Sequence, residues 1–566
     1  MVKVGQGPMG LYTISDYLLD VLHYGQIREV FGVPGDYNLR FLDHILTRSD
    51  LEWCGNGNEL NAAYLANGYA RQLGLAAFVT TYGVGELSAI NGFAGSQTEG
   101  VPVLEIVGLP TTATQQQQKR VHHSLGDGQF DHFQTMHQEL GIMTEVVSSN
   151  HAVAAVNRVI RKLVTTKQPA YLGLPSDLTE LPVHPTFKQL IPTLFTAPNA
   201  TPVPTVPFQL MQQAVYQAEH PLVVIGQALA QFHLGAAVQA WLAAQGFPFV
   251  DLIESKGVVT ESMSQFKGTY HGKIANAALQ AQVEQADVVF LLGSSLSDVN
   301  TAGFTHQFDP EHTITMTPGV ISIYGETLVE QSPEHFPTWI QQLCQCQRAT
   351  PMPSSAPTVP VRPAEPVPQP QQPVTQAFYQ AALAHFVQPN DVVITEQGTS
   401  QFTVEDLRLP TDAEVITQPL WASIGYAFPA ALGSLLANPN RRHLLSIGDG
   451  SFLLTLQELG FAIQHQLTPI ILLLDNQGYT IERVIHGEQA RYHDVPQLNY
   501  QHLLMAFGAT PETYRFAKIT TETELITQFR NLQHATPKLT LLQIRLQKLD
   551  APKTLRKFIN LLYDDE

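Results

Sequence analysis

The run RHLLSIGD (442–449) has the character of a buried strand. It ends in Gly448-Asp449-Gly450-Ser451, and a helix-forming stretch, LLTLQELGFAI, follows. Glycines at the end of a strand let backbone approach a phosphate, and a helix N-terminus offers unpaired N–H groups and the positive end of the peptide dipole. Asp449 then suits a divalent cation brought by a diphosphate, because Mg²⁺ prefers carboxylate, carbonyl and phosphate oxygens in octahedral array. Taken alone, the tripeptide also fits a polar turn with no ligand. A second segment narrows the choice. Asn476, in LLLDNQGYTIE, lies 27 residues after Asp449, at the end of the next strand-like run. One strand–helix–strand crossover returns the chain to the adjacent strand end, so the Asn476 amide oxygen and the carbonyl of Gly478 can complete the site that Asp449 begins.

Other chemistry-bearing residues are more ambiguous by themselves. Glu59, in NGNELNAAY, stands at the start of an apparent helix, where a carboxylate can simply complement the dipole. His122-His123 lies in a Gly/Ser-flanked loop. Imidazoles suit proton transfer near neutral pH, but adjacent side chains of an extended segment point opposite ways, so the two are not expected to share a metal. Asp36 of VPGDYN has the setting of a type I or II turn residue, and Glu482, six residues after Asn476, that of an exposed charge at a helix start.

These residues need a scaffold of several domains, since 566 residues exceed what one hydrophobic core supports. Thr196 to Pro207 and Ala349 to Gln372, rich in Pro and small or polar residues, have linker composition. They set an N-terminal domain at 1–195, a central domain at 205–348 and a C-terminal domain at 373–566, with linkers at about 196–204 and 349–372. Each block alternates short apolar runs with helix-length amphipathic segments, which predicts an α/β protein of three doubly wound parallel-sheet domains. The expected strands include LAAFVTT (75–81) and VPVLEIVGL (101–109), then PLVVIGQ (221–227), FPFVDL (247–252) and ADVVFLLG (286–293), then DVVITE (391–396) and TPIILLLDN (468–476). The first and last blocks also repeat a pattern: Gly68-Tyr69-Ala70, strand, Gly83-x-Gly85, helix and the strand after Pro102 recur as Gly425-Tyr426-Ala427, strand, Gly448-x-Gly450, helix and the strand after Pro469. A duplication accounts for this.

Composition excludes several classes. The net charge of −18, with 31 basic residues in no long run, argues against nucleic-acid binding. No stretch reaches the roughly 18 apolar residues of a membrane span, and MVKVGQGPMGLYTISDYLL has neither an apolar signal core nor an Arg/Ser-rich transit pattern, so a cytoplasmic protein is expected. Cys54, Cys344 and Cys346 offer no disulfide framework and no zinc spacing.

Together, GDGS with its downstream Asn, FGVPGDYN (31–38), EWCGNGNELNAAYLANGYAR (52–71), TYGVGELSAINGFAG (81–95), VHHSLGDG (121–128), EQGTS (396–400), QPLWASIGYAFPAALGS (418–434) and DAPKTLRKF (550–558) resemble the thiamine-diphosphate-dependent, non-oxidative 2-oxo acid decarboxylases. The likeness is to the pyruvate decarboxylase-like enzymes, and within them to the branched-chain, phenylpyruvate and indolepyruvate decarboxylases. It implies decarboxylation of 2-oxo acids to aldehydes and CO₂ through a thiamine-diphosphate enamine, with Mg²⁺ held by Asp449, Asn476 and Gly478. It assigns Glu59 to the pyrimidine ring and Asp36, His122, His123 and Glu482 to catalysis. It further implies cofactor contacts from Gly398, Thr399, Ala422, Ser423, Ile424, Gly448, Gly450, Ser451 and Tyr479. Two positions depart from the family: Asp475 where Asn is usual, and Ala422 where Gly is usual. A homodimer is the implied active unit, paired again as a dimer of dimers.

The resemblance also places Gln397, Gln401, Phe402, Ile481, Ile485, Phe558 and Leu562 along the substrate. The branched-chain enzymes carry Phe at the positions of Gln401 and Leu562, so a larger cavity is expected here, with medium or long-chain, branched or aryl 2-oxo acids preferred over pyruvate. Phe558 and Leu562, four apart, could equally be the packing face of a surface helix. A carboligase of the acetolactate-synthase type, identified by acetohydroxy acid product, and a non-enzymatic cofactor sensor are the competing functions.

Overall fold

A computed structural model describes residues 11–196, 201–353 and 363–563. Parts of both expected linkers, 197–200 and 354–362, lie outside the described residues. The chain forms two compact units, Met1–Pro198 with Leu432–Ala437, and Asn199–Ala431 with Asn438–Glu566.

The first unit is built on a six-stranded, all-parallel sheet in the order Glu52–Gly55, Glu29–Gly32, Ala76–Thr81, Val103–Leu109, Ala170–Pro175, Met143–Val146. Three of its four inner strands, Ala76–Thr81, Val103–Leu109 and Ala170–Pro175, are buried at every residue. That is why they appear in the sequence as unbroken apolar runs: helices cover both faces of a parallel sheet. The helix Ile14–Tyr24 begins in a capping box formed by Thr13 and Asp16 and buries Leu18, Leu19 and Leu22.

The second unit carries two sheets. The sheet of residues 392–545 is again six-stranded and parallel, in the order Glu414–Ile416, Val392–Thr395, His443–Gly448, Ile470–Asp475, Leu539–Arg545, Tyr514–Ile519. Numbered along their own segments, it and the first unit's sheet share the order 2-1-3-4-6-5, as a duplication requires. The central sheet has seven strands. Five are parallel, and Val320–Ile323 and Glu326–Glu330 add an antiparallel edge. Tyr324 and Gly325 join them with φ of 53° and 84°, the doubly positive turn that matches strand twist in a two-residue hairpin.

A buried cation ties the central sheet to the last one. Lys256 Nζ lies 3.0 Å from Glu261 and donates to Thr269 Oγ1 and to the Leu407 carbonyl, both at 2.8 Å. Glu261 in turn accepts from Leu409 N at 2.8 Å. Among the described residues no helix is long and apolar enough to cross a membrane.

Candidate active site

In open parallel sheets, ligand-binding loops leave the carboxyl ends of the strands. Every expected catalytic and cofactor residue lies at or after such an end. In the first unit, Asp36 follows Glu29–Gly32, Glu59 follows Glu52–Gly55, Gly83 and Gly85 follow Ala76–Thr81, and the His122-His123 loop follows Val103–Leu109. In the second unit, Gln397 to Phe402 follow Val392–Thr395, Ala422 to Ile424 follow Glu414–Ile416, Gly448 ends the strand His443–Gly448 with Asp449 to Ser451 after it, and Asn476 to Glu482 follow Ile470–Asp475.

The first unit gathers Asp36 and both histidines. His122 Nε2 is 2.6 Å from Asp36 Oδ2, His123 Nε2 is 3.8 Å from Asp36 Oδ1, and the two imidazole rings lie 4.7 Å apart. The expectation that the adjacent histidines point opposite ways is overturned. It assumed an extended backbone, whereas His123 has φ of 63°, which swings both rings toward one carboxylate. Tyr37 stacks on His122 at 5.0 Å. Gly83, at φ 68°, lets the loop seat closely, since a Cβ there would meet the His123 carbonyl oxygen at 2.1 Å.

Glu59 opens the helix Glu59–Leu73, whose N-cap Asn58 accepts from Asn61 N. Its carboxylate lies against Gly85, where a Cβ would sit 3.2 Å from Glu59 Oε1 and from Thr81 Cγ2. Burial first, then the charge of Glu105, hold the Glu59 carboxyl above its ordinary range.

In the second unit, Asp449 is fully buried at the start of the helix Asp449–Thr455. Its Oδ1 accepts from Gly450 N at 2.9 Å and Gly478 N at 3.2 Å, while Oδ2 has no hydrogen-bond partner among the described residues. Burial, then the charge of Asp475, push its carboxyl up to about 7. The Asn476 amide has two orientations. With nitrogen turned in, it donates to the Gly478 carbonyl at 2.6 Å and to Asp449 Oδ1 at 3.1 Å. With oxygen turned in, oxygens of Asp449, Asn476 and Gly478 converge with no donor among them. That donor set, with an orphaned carboxylate oxygen beside it, fits a divalent cation. Gly448 has open space where a side chain would stand, as a diphosphate needs, and a Cβ at Gly450 would meet the Tyr479 ring at 2.5 Å. Ser451 is buried in the same turn, and Gly478, at φ 133°, admits no side chain because His493 O fills that space.

Ala422 has φ of 55°, a left-handed conformation that explains physically why glycine suits this position. Ser423 N donates to Gln418 Oε1 at 3.3 Å, and Ile424 is exposed. Asp475, the other departure, is buried and paired: its carboxylate accepts from Arg545 Nη1 at 2.9 Å and Gln543 Nε2 at 2.7 Å.

Among the expected substrate residues, Phe402 and Phe558 are core members of one apolar cluster, with Ile481 and Ile485 packed against it. The Phe402 and Phe558 rings are 5.4 Å apart. Gly398 and Thr399 begin the helix that carries Phe402, and Ile481 lies over Gly398. Leu562 packs on Gly303 and stays part exposed. Gln401 stands outside that cluster, fully buried, with its Nε2 lacking a partner among the described residues. Gln397 donates to the Gln418 carbonyl at 2.7 Å. Glu482 is exposed on the helix Thr480–Ile485.

Two supporting residues escaped the sequence reading. Glu396, buried at a strand end, accepts from Gly425 N, Ala427 N and Gln397 N at 3.0, 3.1 and 2.9 Å, so it anchors the segment that carries Ala422 and Ile424. The only signal was its position beside Gln397. Arg483 is buried, pairs with Asp494 at 2.7 Å and donates to the Gln477 and His493 carbonyls at 3.0 and 3.3 Å, bracing the turn that holds Gly478. No local pattern distinguishes it from a surface arginine.

Three family profiles match the chain: thiamine pyrophosphate enzyme, N-terminal TPP binding domain, at residues 12–135; central domain, at 209–323; and C-terminal TPP binding domain, at 396–544. An alpha-keto-acid decarboxylase of Mycolicibacterium paratuberculosis is 37% identical over 554 residues, covering 97% of this chain and 96% of that protein. One of Mycobacterium ulcerans is 38% identical over 507 residues, 88% of each. Among solved structures, the thiamine diphosphate-dependent 4-hydroxybenzoylformate decarboxylase of Rhodococcus jostii RHA1 has the same fold, with a TM-score of 0.75, 18% identity, and coverage of 95% of this chain and 99% of that one. The chain belongs to the thiamine pyrophosphate enzymes and, within them, to the decarboxylases of 2-oxo acids.

Proposed function

We propose that the enzyme converts medium or long-chain, branched or aryl 2-oxo acids to aldehydes in preference to pyruvate, with thiamine diphosphate anchored through Mg²⁺. The observation that carries the anchor is the buried Asp449 carboxylate, whose Oδ2 has no hydrogen-bond partner among the described residues while its Oδ1 faces the Asn476 amide, itself beside the Gly478 carbonyl. Asp449, Asn476 and the Gly478 carbonyl hold the cation, and Gly448, Gly450, Ser451 and Tyr479 receive the diphosphate. Bound thiamine diphosphate supplies a carbon nucleophile for the keto group and a ring that accepts the electron pair left by departing CO₂.

Glu59 keeps a proton against the pyrimidine ring, which its raised proton affinity favours. Asp36, hydrogen-bonded to His122 Nε2, orients that imidazole. The two histidines and Glu482 move protons on the substrate side. Gly398, Thr399, Ala422, Ser423 and Ile424 would hold the cofactor. The apolar cluster around Phe402 and Phe558, with Ile481 and Ile485, supports a wall that rewards apolar substrate surface; Gln397, Gln401 and Leu562 complete it.

We place the working form as a homodimer, paired into a dimer of dimers. Three free cysteines suit a reducing cytoplasm. The preference is tested by comparing kcat/KM for pyruvate with that for 2-oxo acids of six or more carbons. A higher value for pyruvate defeats it.

A further inference from the structure

Beneath Glu59, the first unit buries a second set of ionisable groups that the reaction as described does not use. Thr80, whose Cβ borders Gly85 from 3.5 Å as Glu59 Oε1 does from 3.2 Å, donates from Oγ1 to Glu105 Oε1 at 2.9 Å. Glu105 Oε2 lies 3.1 Å from His137 Nε2. Thr80, Glu105 and His137 are all 0% exposed. His137 Nδ1 is 2.7 Å from the Phe133 carbonyl, an acceptor only, so Nδ1 carries a hydrogen and donates it. One proton therefore remains for the pair Glu105 Oε2 and His137 Nε2. On His137 it makes an imidazolium facing a carboxylate; on Glu105 it makes a neutral pair.

We propose that Glu105 and His137 are positioning residues whose charge, set behind Gly85 and Thr80, keeps a proton on Glu59. This rests on the reading that Glu59 meets the pyrimidine ring. With the shared proton on His137, Glu105 is an anion behind a second carboxyl group, and a like charge nearby disfavours ionisation. Burial opposes an imidazolium at His137, but the Glu105 carboxylate 3.1 Å away and the Phe133 carbonyl together hold its proton affinity above the ordinary value. The other titratable groups of the pocket add no competing charge near neutrality. Glu86, which accepts from Gly83 N at 2.7 Å and from Tyr171 OH at 3.2 Å, is pushed up to about 8, first by burial and then by Glu105. The phenols of Tyr171 and Tyr82 are raised by burial and stay neutral. An apolar pair would fill the same volume without the cost of desolvating charge, so packing alone gives no reason for these two side chains.

The test uses the holoenzyme and the variants Glu105→Gln, His137→Gln and Glu59→Gln. Two quantities are followed against pH: kcat/KM, and the dissociation constant of thiamine diphosphate measured calorimetrically with Mg²⁺. Glu105→Gln is expected to move the alkaline limb of both profiles, where Glu59 loses its proton, down by about one pH unit. His137→Gln should move them the same way, because burying a carboxyl with no facing cation favours its neutral form. The double variant should then shift no further than either single one. Profiles of both single variants that keep the parent limb, with only a lower Tm, make the pair a structural ion pair and overturn the inference. If Glu105→Gln does not fold, His137→Gln decides alone. Glu59→Gln separates the two readings: undiminished turnover removes Glu59 from the chemistry, whereas lost turnover with unshifted Glu105→Gln profiles sinks only the role of Glu105 and His137.

Discussion

Asp449 is buried, with one oxygen accepting from two backbone N–H groups and the other without a hydrogen-bond partner among the described residues. Asp449→Asn should weaken Mg²⁺-dependent binding of thiamine diphosphate by at least about a hundredfold, read by calorimetry, while the fold survives; unchanged Mg²⁺ dependence would remove Asp449 from the anchor. Arg483 acts one layer out, by bracing the Gly478 turn. Since outer-shell partners of a metal site typically contribute about 10–100-fold to affinity, Arg483→Met should lower Mg²⁺ affinity by that order. The contrast between these residues shows what a sequence reveals. Asp449 and Asn476 were legible because one crossover converts a spacing of 27 residues into adjacency. Glu396 and Arg483 were not, because whether a lone charged residue is buried depends on distant chain: Gly425 N for one, Asp494 for the other. The orientation of His122 and His123 failed for a different reason, a single left-handed φ at His123.

At the level of elements, the helix Lys553–Tyr563 buries Phe558 against Phe402. Phe558→Ala should cost about 3 kcal/mol in unfolding free energy, as phenylalanine truncation in a core does, and should shift preference toward bulkier aryl 2-oxo acids; an unchanged ratio of aryl to pyruvate kcat/KM would take Phe558 out of the substrate wall. The Lys256–Glu261 pair makes a second element-scale claim. Removing one partner of a buried pair costs about 3–5 kcal/mol, so Lys256→Met should lower stability by that order, and adding Glu261→Leu should restore much of it. Denaturant unfolding of the two variants checks this. Strands were the most legible elements: a run buried on both faces is apolar throughout, and PLVVIGQ, RHLLSIGD and TPIILLLDN all contain one. The hairpin Val320–Ile323 to Glu326–Glu330 was not foreseen, since an edge strand whose pattern is one buried residue in five carries little apolar signal.

For the whole molecule, buried carboxyls set the response to pH. Glu396 is raised to about 7 and Glu86 to about 8, both mainly by burial. A raised carboxyl binds a proton more tightly folded than unfolded, so its contribution is complete below the unfolded value of about 4.5 and is lost as pH climbs through 7 to 8. Asp16, held near 2 because His44 and Thr13 outweigh its burial, acts oppositely: its contribution is present above about 4 and is lost as pH falls toward 2. Thermal unfolding of the cation-free protein should therefore show maximal stability at about pH 5, with Tm falling toward pH 8; a maximum above pH 8 would contradict this. The duplicated architecture was also legible, because Gly68-Tyr69-Ala70 and Gly425-Tyr426-Ala427 each precede a strand and a glycine turn, and both sheets share one strand order. The proposed substrate preference is less directly legible, since it rests on side-chain volumes at Gln401, Phe402 and Phe558 rather than on spacing. The most direct test of the central claim is aldehyde release from 2-oxo acids of increasing size, with and without thiamine diphosphate and Mg²⁺. Release that requires both and is fastest with acids of six or more carbons is the predicted result; no aldehyde from any of them, with both present, would contradict the account.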